Sequence, residues 1–343
     1  MKKLLTFVSA ITAGAIGTAA ADVSVSGAGN FYYSSASGDK NVTAQEGTVS
    51  VAGGAVSFAM STETTNGVTV SASASITQDT DDTTTVDAED SGAAGGMSSL
   101  TFGMDGMTIT LGKLDNAGSG TGEGGDVATI ASTHAGVHAA GTSTASASDS
   151  SIDGIADGNG ISVSTSMGAA SIDATFVSSV GSGTNSYRTN ATTTGYASGY
   201  SINVGFDMAG AAVNVAAGGS QAKVTADKNN TGMAVEASYP VSDALTLTVG
   251  GSNGTIAGAD EDNLFITAAY TMDADTTLSI GMASGDSTSS TGSLDKATAT
   301  TINVTRSLGG GVSVFAEYAD ISNSDAGVDS SASAVSVGTS VSF

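Results

Sequence analysis

The sequence predicts an all-β fold: a sixteen-stranded antiparallel transmembrane β-barrel with a long third outer loop folded into the lumen. Three observations predict it. Small and β-branched residues alternate with polar ones at period 2 through most of the chain, the signature of strands with two unlike faces. The connections alternate between turns of a few residues and long polar runs, the asymmetry of a barrel with brief turns at one end and long loops at the other. Proline, which cannot donate to a strand ladder, occurs once in 343 residues, as a chain that is mostly sheet requires.

The chain opens on Lys2-Lys3, an apolar run from Leu4 to about Ile16, and Ala19-Ala20-Ala21. Charged n-region, short apolar h-region and small-residue cleavage site make residues 1–21 a secretory signal peptide and leave 22–343 as the folding unit. Without Lys2 and Lys3, seven basic residues face 33 acids, a formal charge of about −26. Such a surface excludes nucleic acid as a partner, because phosphates are bound by clustered Lys and Arg. It also opposes docking on an anionic lipid surface and attracts cations. No cysteine is present, so disulfides and thiolate metal sites are out. Beyond residue 21 no apolar run is long enough for a helix to span a bilayer.

From Asp22 the strands follow in order. The first covers 22–34 and the second 48–60, where apolar parity flips from Val49 and Val51 to Val56, Phe58 and Met60 across Gly53-Gly54, which predicts a bulge. Asn66-Gly67 is a hairpin turn into 68–77. An acidic loop at 79–95 precedes the hairpin 97–105 and 107–114, turned at Asp105-Gly106. After residues 115–159 come 160–166 and 171–177, then 196–207 and 211–224 around a turn at Met208 to Gly210. The pair 232–239 and 244–251 flanks Pro240 to Asp243, and 263–272 with 276–284 flanks Asp273 to Asp275. Strands 299–307 and 311–319 flank Leu308 to Gly310, and the last runs from 331 to Phe343.

Along these strands the apolar side chains share one parity and the hydroxyls the other: Tyr200, Ile202, Val204 and Phe206 against Ser201, Asn203, Gly205 and Asp207. Alternation alone cannot separate a barrel with apolar residues outside from a sandwich with apolar residues inside. Small polar residues on the second face suit a wide, wet interior. Lys113, Asp173, Asp207, Glu236 and Glu317 are the candidate charges of that inner wall. Tyr32, Tyr33, Tyr196, Tyr239, Tyr270 and Tyr318 lie near strand ends, where interfacial belts form.

Residues 115–159 form the one insert of their size, with no Lys, Arg or Pro and no convincing strand. A structureless run this long inside a compact domain is a functional loop or a disordered excursion. It carries Asp115, Glu123, Asp126, Asp149, Asp153 and Asp157, and both histidines, His134 and His138. A closed wall with this loop inside it is the reading adopted.

The segments 306–319 (RSLGGGVSVFAEYA), 269–286 (AYTMDADTTLSIGMASGD) and 238–252 (SYPVSDALTLTVGGS) resemble strand–turn–strand units of Gram-negative outer-membrane porins, the alphaproteobacterial general-porin type in particular. Val335, Val337 and Val341, in phase with the terminal Phe343, resemble the aromatic signal read by the barrel assembly machinery. The resemblance covers the chain from residue 22 in layout, and in motifs mostly its second half. It implies a passive diffusion channel for small hydrophilic solutes and ions, a homotrimer in outer-membrane lipid, and a third loop that narrows the pore. GEGGD at 122–126 is similar to a segment of that loop, which carries over Glu123 as a constriction acid and Asp126 behind it. Asp149, Asp153 and Asp157 are further candidates for the same lining. The chain departs from the family in its wall: strands one to four and six contain no Lys or Arg, so a strong transverse field is not expected. The fixed negative charge favours cations instead.

Catalysis is not expected. A hydrolase needs a nucleophile beside a positioned base, and the only histidines lie together in one loop. No cofactor is expected either. The acidic runs 153–160 and 259–263 are candidates for weak Ca²⁺ binding, and neither has EF-hand spacing. Two rivals stand beside the general channel: a substrate-specific channel of the same fold, and a secreted acidic calcium-dependent surface or adhesion protein.

Overall fold

A strand in lipid must be hydrogen-bonded along both edges, because the bilayer core offers neither donor nor acceptor. The chain meets that requirement by closing on itself. The computed structural model describes residues 22–38, 48–77, 97–115, 117–118, 121–122, 155–180, 196–222, 229–256, 258–288, 294–325 and 328–343. They form β1 (Asp22–Gly38), β2 (Thr48–Glu63), β3 (Thr69–Thr77), β4 (Met97–Met104), β5 (Met107–Leu114), β6 (Gly158–Met167), β7 (Ala170–Val180) and β8 (Tyr196–Met208). The second half comprises β9 (Ala211–Ala222), β10 (Asn230–Ser242), β11 (Leu245–Ile256), β12 (Ala259–Asp273), β13 (Thr276–Thr288), β14 (Leu294–Gly309), β15 (Val312–Asp325) and β16 (Val328–Ser342). Each strand pairs antiparallel with its chain neighbours, and β1 pairs with β16 to complete a closed barrel. The signal-peptide residues 1–21 lie outside the described residues.

The expected bulge is present. Ala28 opposes Ala55 and Asn30 opposes Ala52, leaving Gly53 and Gly54 together against Gly29. The extra residue shifts β2 by one position, so its apolar side chains stay on one face while their sequence parity flips.

Strand ends depart from the alternation-based reading. β12 begins at Ala259 rather than 263, β13 runs on to Thr288, β14 starts at Leu294 and β15 reaches Asp325. Beyond the apolar band both faces are polar, so the period disappears while the backbone ladder continues. The acidic run 259–263 is therefore strand and not loop. Its carboxylates split between faces, Asp260 and Asp262 in phase with Leu264, and Glu261 in phase with Phe265. Pro240 likewise lies inside β10, where a register irregularity between Pro240 and Ser242 accommodates it.

Exposure identifies the two faces. On β12, Leu264 and Ile266 are 61% and 49% exposed, while Phe265 between them is 3% exposed. Side chains on the convex outside of a tube diverge and stay accessible; those on the concave inside crowd together. The exposed face is apolar along the whole wall, with Tyr200, Ile202, Met233, Val235, Val249, Ile280, Met282, Ile302 and Val337. Described charges on outward register gather toward the ends, Asp262, Asp286 and Lys296 at the loop end and Arg306 at the turn end. This is the profile of a lipid-facing band. Tyr33, Tyr239, Tyr270 and Tyr318 stand on it, but Tyr32 does not: it points inward beside Gly338, because the belt parity of β1 belongs to Phe31 and Tyr33. The side chain of Tyr196 lies outside the described residues.

Candidate functional site

Inward-facing positions carry hydroxyls, amides and carboxylates. Asp173 on β7 opposes Asn203 on β8, both on the inner register with the buried Thr175 and Ser201. Asp207 follows Asn203 on that face of β8, Glu236 follows the buried Ala234 on β10, and Glu317 is buried on β15 between Asn303 and Ser336. These four stand on the inner register of their strands. Lys113 does not. It shares register with Leu111, which opposes Ile161, and these exposed apolar partners put it on the outer surface at the loop end of β5. The expectation failed because alternation within a short strand leaves its absolute sense open until neighbours set it.

The described residues that follow β5 lie against the inner wall. The Thr175 hydroxyl donates to the Asp115 carbonyl at 3.4 Å. The Ala117 N–H donates to Ser201 Oγ at 2.7 Å, and Thr121 Oγ1 makes a long contact of 3.5 Å with Asn203 Oδ1. Glu236 of β10 lies within hydrogen-bonding reach of the Gly122 backbone. The described residues Asp115, Ala117, Gly118, Thr121 and Gly122 thus meet β7 to β10 in turn.

Small residues make that path passable. A Cβ at Gly118 would come within 2.6 Å of Ala216 Cβ, and one at Gly122 within 2.7 Å of Ala234 Cβ and of the Gly251 carbonyl oxygen. Both glycines also have left-handed φ values of 78° and 74°, which a larger residue adopts only with strain. The returning limb seats nearer the loop end. Ile155 and Ala156 are buried with Val177 of β7 and Ile256 of β11, and the Ile155 side chain lies over Gly218 of β9.

Of the five constriction candidates, Glu123, Asp126, Asp149 and Asp153 lie outside the described residues, as do His134 and His138. Asp157 is described, half-buried one residue after Ala156 and next to the start of β6. Sequence reasoning missed Ser201, Asn203, Ala216 and Ala234 as the seat of the loop. The available signal was the run of small inward residues on β8 to β11, which leaves a shallow track for another backbone. Among the described residues no group of three or more His, Asp or Glu converges as a metal site.

The terminal residues close the seam. The Phe343 carbonyl accepts the Gly27 N–H at 2.8 Å and the Phe343 N–H returns to the Gly27 carbonyl at 2.9 Å. The ring covers Gly27, and Val335, Val337 and Phe343 present their side chains to the outside, with Val341 in phase.

A profile of Gram-negative porins matches residues 6–326. No curated protein matches the sequence. Among solved structures, a loop L8 deletion mutant of OmpT, an outer membrane protein of Vibrio cholerae, superposes with a TM-score of 0.62 at 12% identity, covering 94% of this chain and 99% of that one. A multiply substituted variant of the Rhodobacter blastica porin superposes with a TM-score of 0.61 at 17% identity, covering 94% and 100%. In-vitro folded Vibrio cholerae OmpT in its trimer form gives 0.60 at 12%, covering 94% and 99%. At these identities the likeness concerns the fold alone.

Proposed function

The chain belongs to the Gram-negative porin family, and we propose that this outer-membrane channel passes small hydrophilic solutes by diffusion and prefers cations. One observation carries the preference. The described basic side chains, Lys113, Lys296 and Arg306, all stand on outward register, whereas Asp173, Asp207, Glu236 and Glu317 stand on the inner wall. The segment 115–159 carries Asp115, Glu123, Asp126, Asp149, Asp153 and Asp157 and neither Lys nor Arg. Fixed negative charge in a passage with low-dielectric walls concentrates counter-ions and repels anions.

Reversal potential across a planar bilayer under a KCl gradient tests this. The channel should favour K⁺ over Cl⁻, more strongly at 0.01 M than at 1 M salt, as the Debye length falls from about 30 to about 3 Å. Glu123→Gln with Asp126→Asn should reduce the preference, and neutralising Asp81 and Asp82 in the acidic loop 79–95 should change it less. Anion preference, or indifference to the Glu123 and Asp126 changes, sinks the proposal. A substrate-specific channel would instead show transport of one solute that saturates. A homotrimer is the assembly proposed, supported by the trimer form of the Vibrio cholerae protein that shares this fold. Sedimentation in detergent measures it.

A further inference from the structure

The outer face of the wall ends in one way at six successive short turns, reached by two different geometries. The hairpins β4–β5, β6–β7 and β8–β9 close tightly. Their last pairs are Met104 with Met107, Met167 with Ala170, and Met208 with Ala211. The hairpins β10–β11, β12–β13 and β14–β15 instead slip register just before the turn, and the extra residue is Val241, Met272 or Leu308. A bulge re-aims side chains, and these three keep the outward sense of Tyr239, Tyr270 and Ile302. Met167, Met208, Val241, Met272 and Leu308 are all exposed. The first hairpin departs from the pattern, with Thr62 opposite Val70. Two turn geometries with one outcome point to a requirement on the outcome.

The row lies where lipid contact would ordinarily stop. An aromatic girdle marks the edge of an apolar band, yet Val241 and Met272 stand one outward position beyond Tyr239 and Tyr270. Charge begins at once beyond the row, with Asp105, Asp243, Asp273 and Asp275 in or beside the turns. Arg306, one outward position before Leu308, does not interrupt it. Its Nη1 donates to Thr276 Oγ1 at 2.7 Å and meets Asp273 Oδ2 at 3.4 Å, so the charged head is drawn to the turn. Length decides the matter. A tilted strand needs about 9–11 residues to cross the hydrocarbon. The outward apolar run of β12 from Leu264 to Met272 spans nine residues (264–272) and would span seven if it ended at Tyr270 (264–270). On β10 the run from Met233 to Val241 gives the same nine (233–241).

We propose that this row contacts the acyl chains of the leaflet on the turn side and sets the bilayer thickness that the barrel fits. Two residues at about 3.4 Å each, tilted by about 40°, place about 5 Å of thickness under its control. The proposal rests on the outer-membrane reading only for the presence of a bilayer.

The test is a variant carrying Met167→Ser, Met208→Ser, Val241→Ser, Met272→Ser and Leu308→Ser together. Parent and variant are folded into phosphatidylcholine vesicles of graded acyl length, and the urea midpoint of unfolding is read against bilayer thickness. The optimum should move to bilayers thinner by about 5 Å, because a shorter band is matched by a thinner bilayer. Ile202→Ser, Ile266→Ser and Ile280→Ser together, within the band, should lower the midpoint and leave the optimum in place. A rim variant that loses stability equally at every thickness overturns the proposal, and so does one that loses none. Should the rim variant not fold, a nitroxide on Met208→Cys, the single thiol of a cysteine-free chain, reads depth directly. Collisions with oxygen exceeding those with a polar nickel complex support the seat in lipid, and the reverse order overturns it. Neither measurement involves ion flow, so an anion-preferring channel would refute the selectivity proposal and leave this one standing.

Discussion

Single positions reveal where the wall is under constraint. Ala209 is the one non-glycine among the described residues with positive φ, at 53°, and Gly210 follows at 86°. The two residues form the tight turn from β8 to β9, of the kind that needs left-handed backbone twice and favours Asn-Gly. An L-residue with a Cβ in that conformation costs about 1–2 kcal/mol. Ala209→Asn should therefore stabilise the barrel by about 1 kcal/mol, visible as a higher temperature for loss of the folded band in gels. Gly338 imposes the opposite constraint, through space: a Cβ there would come within 2.6 Å of Phe315 Cζ and of Tyr32 Cβ. The missing side chain lets an inward aromatic on β15 reach across β16 toward β1, so three strands share one inner contact at the seam.

At the scale of elements, β16 does two jobs with its two faces. Inward it supplies Ala332, Ala334, Ser336 and Gly338, small enough for a crowded wall; outward it presents Val335, Val337 and Phe343. Phe343 completes the ladder to Gly27 through two backbone hydrogen bonds and covers it with its ring. Deleting Phe343 removes that last pair and the terminal aromatic together. The amount of folded barrel in the outer membrane should fall while export continues, measured by heat-modifiable band intensity against total exported protein. Undiminished folded yield would remove the assembly role assigned to this end. β12 teaches a separate lesson. Its acidic start looked like loop because the eye follows hydrophobic period, yet Asp260 to Asn263 pair in register with β11 and β13. Strand extension beyond the lipid is a backbone property that the side chains there do not announce.

Among the described residues most large apolar side chains face outward and depend on lipid for burial. That inversion is testable at neighbouring positions. Ile266 is exposed on the outer face of β12, and Thr267 faces inward. Arg at the bilayer midplane on a lipid face costs about 2–4 kcal/mol. Ile266→Arg should destabilise the barrel in vesicles by that order, measured by denaturant unfolding, whereas Thr267→Arg should be tolerated and should weaken cation preference. A greater cost at Thr267 than at Ile266 would mean that the faces have been assigned the wrong way round.

The sequence by itself determined sixteen strands, their order, the Gly53-Gly54 bulge and most of the turns, because period 2 and glycine-bearing turns are local properties written into consecutive residues. It also placed Asp173, Asp207, Glu236 and Glu317 on the polar face, since long strands with many apolar positions leave only one sensible phase. It misassigned Lys113 and Tyr32, where short or two-sided patterns leave the phase to be set by pairing with neighbours. Only the tertiary structure decided that apolar meant outside, because alternation reads alike in a barrel and a sandwich and curvature alone separates them. Only it brought Ala117, Gly118 and Gly122 to Ser201, Ala216 and Glu236, residues some 80 to 115 positions apart in the chain. That seat exists because a closed wall has an inside, and no property of either segment alone records it.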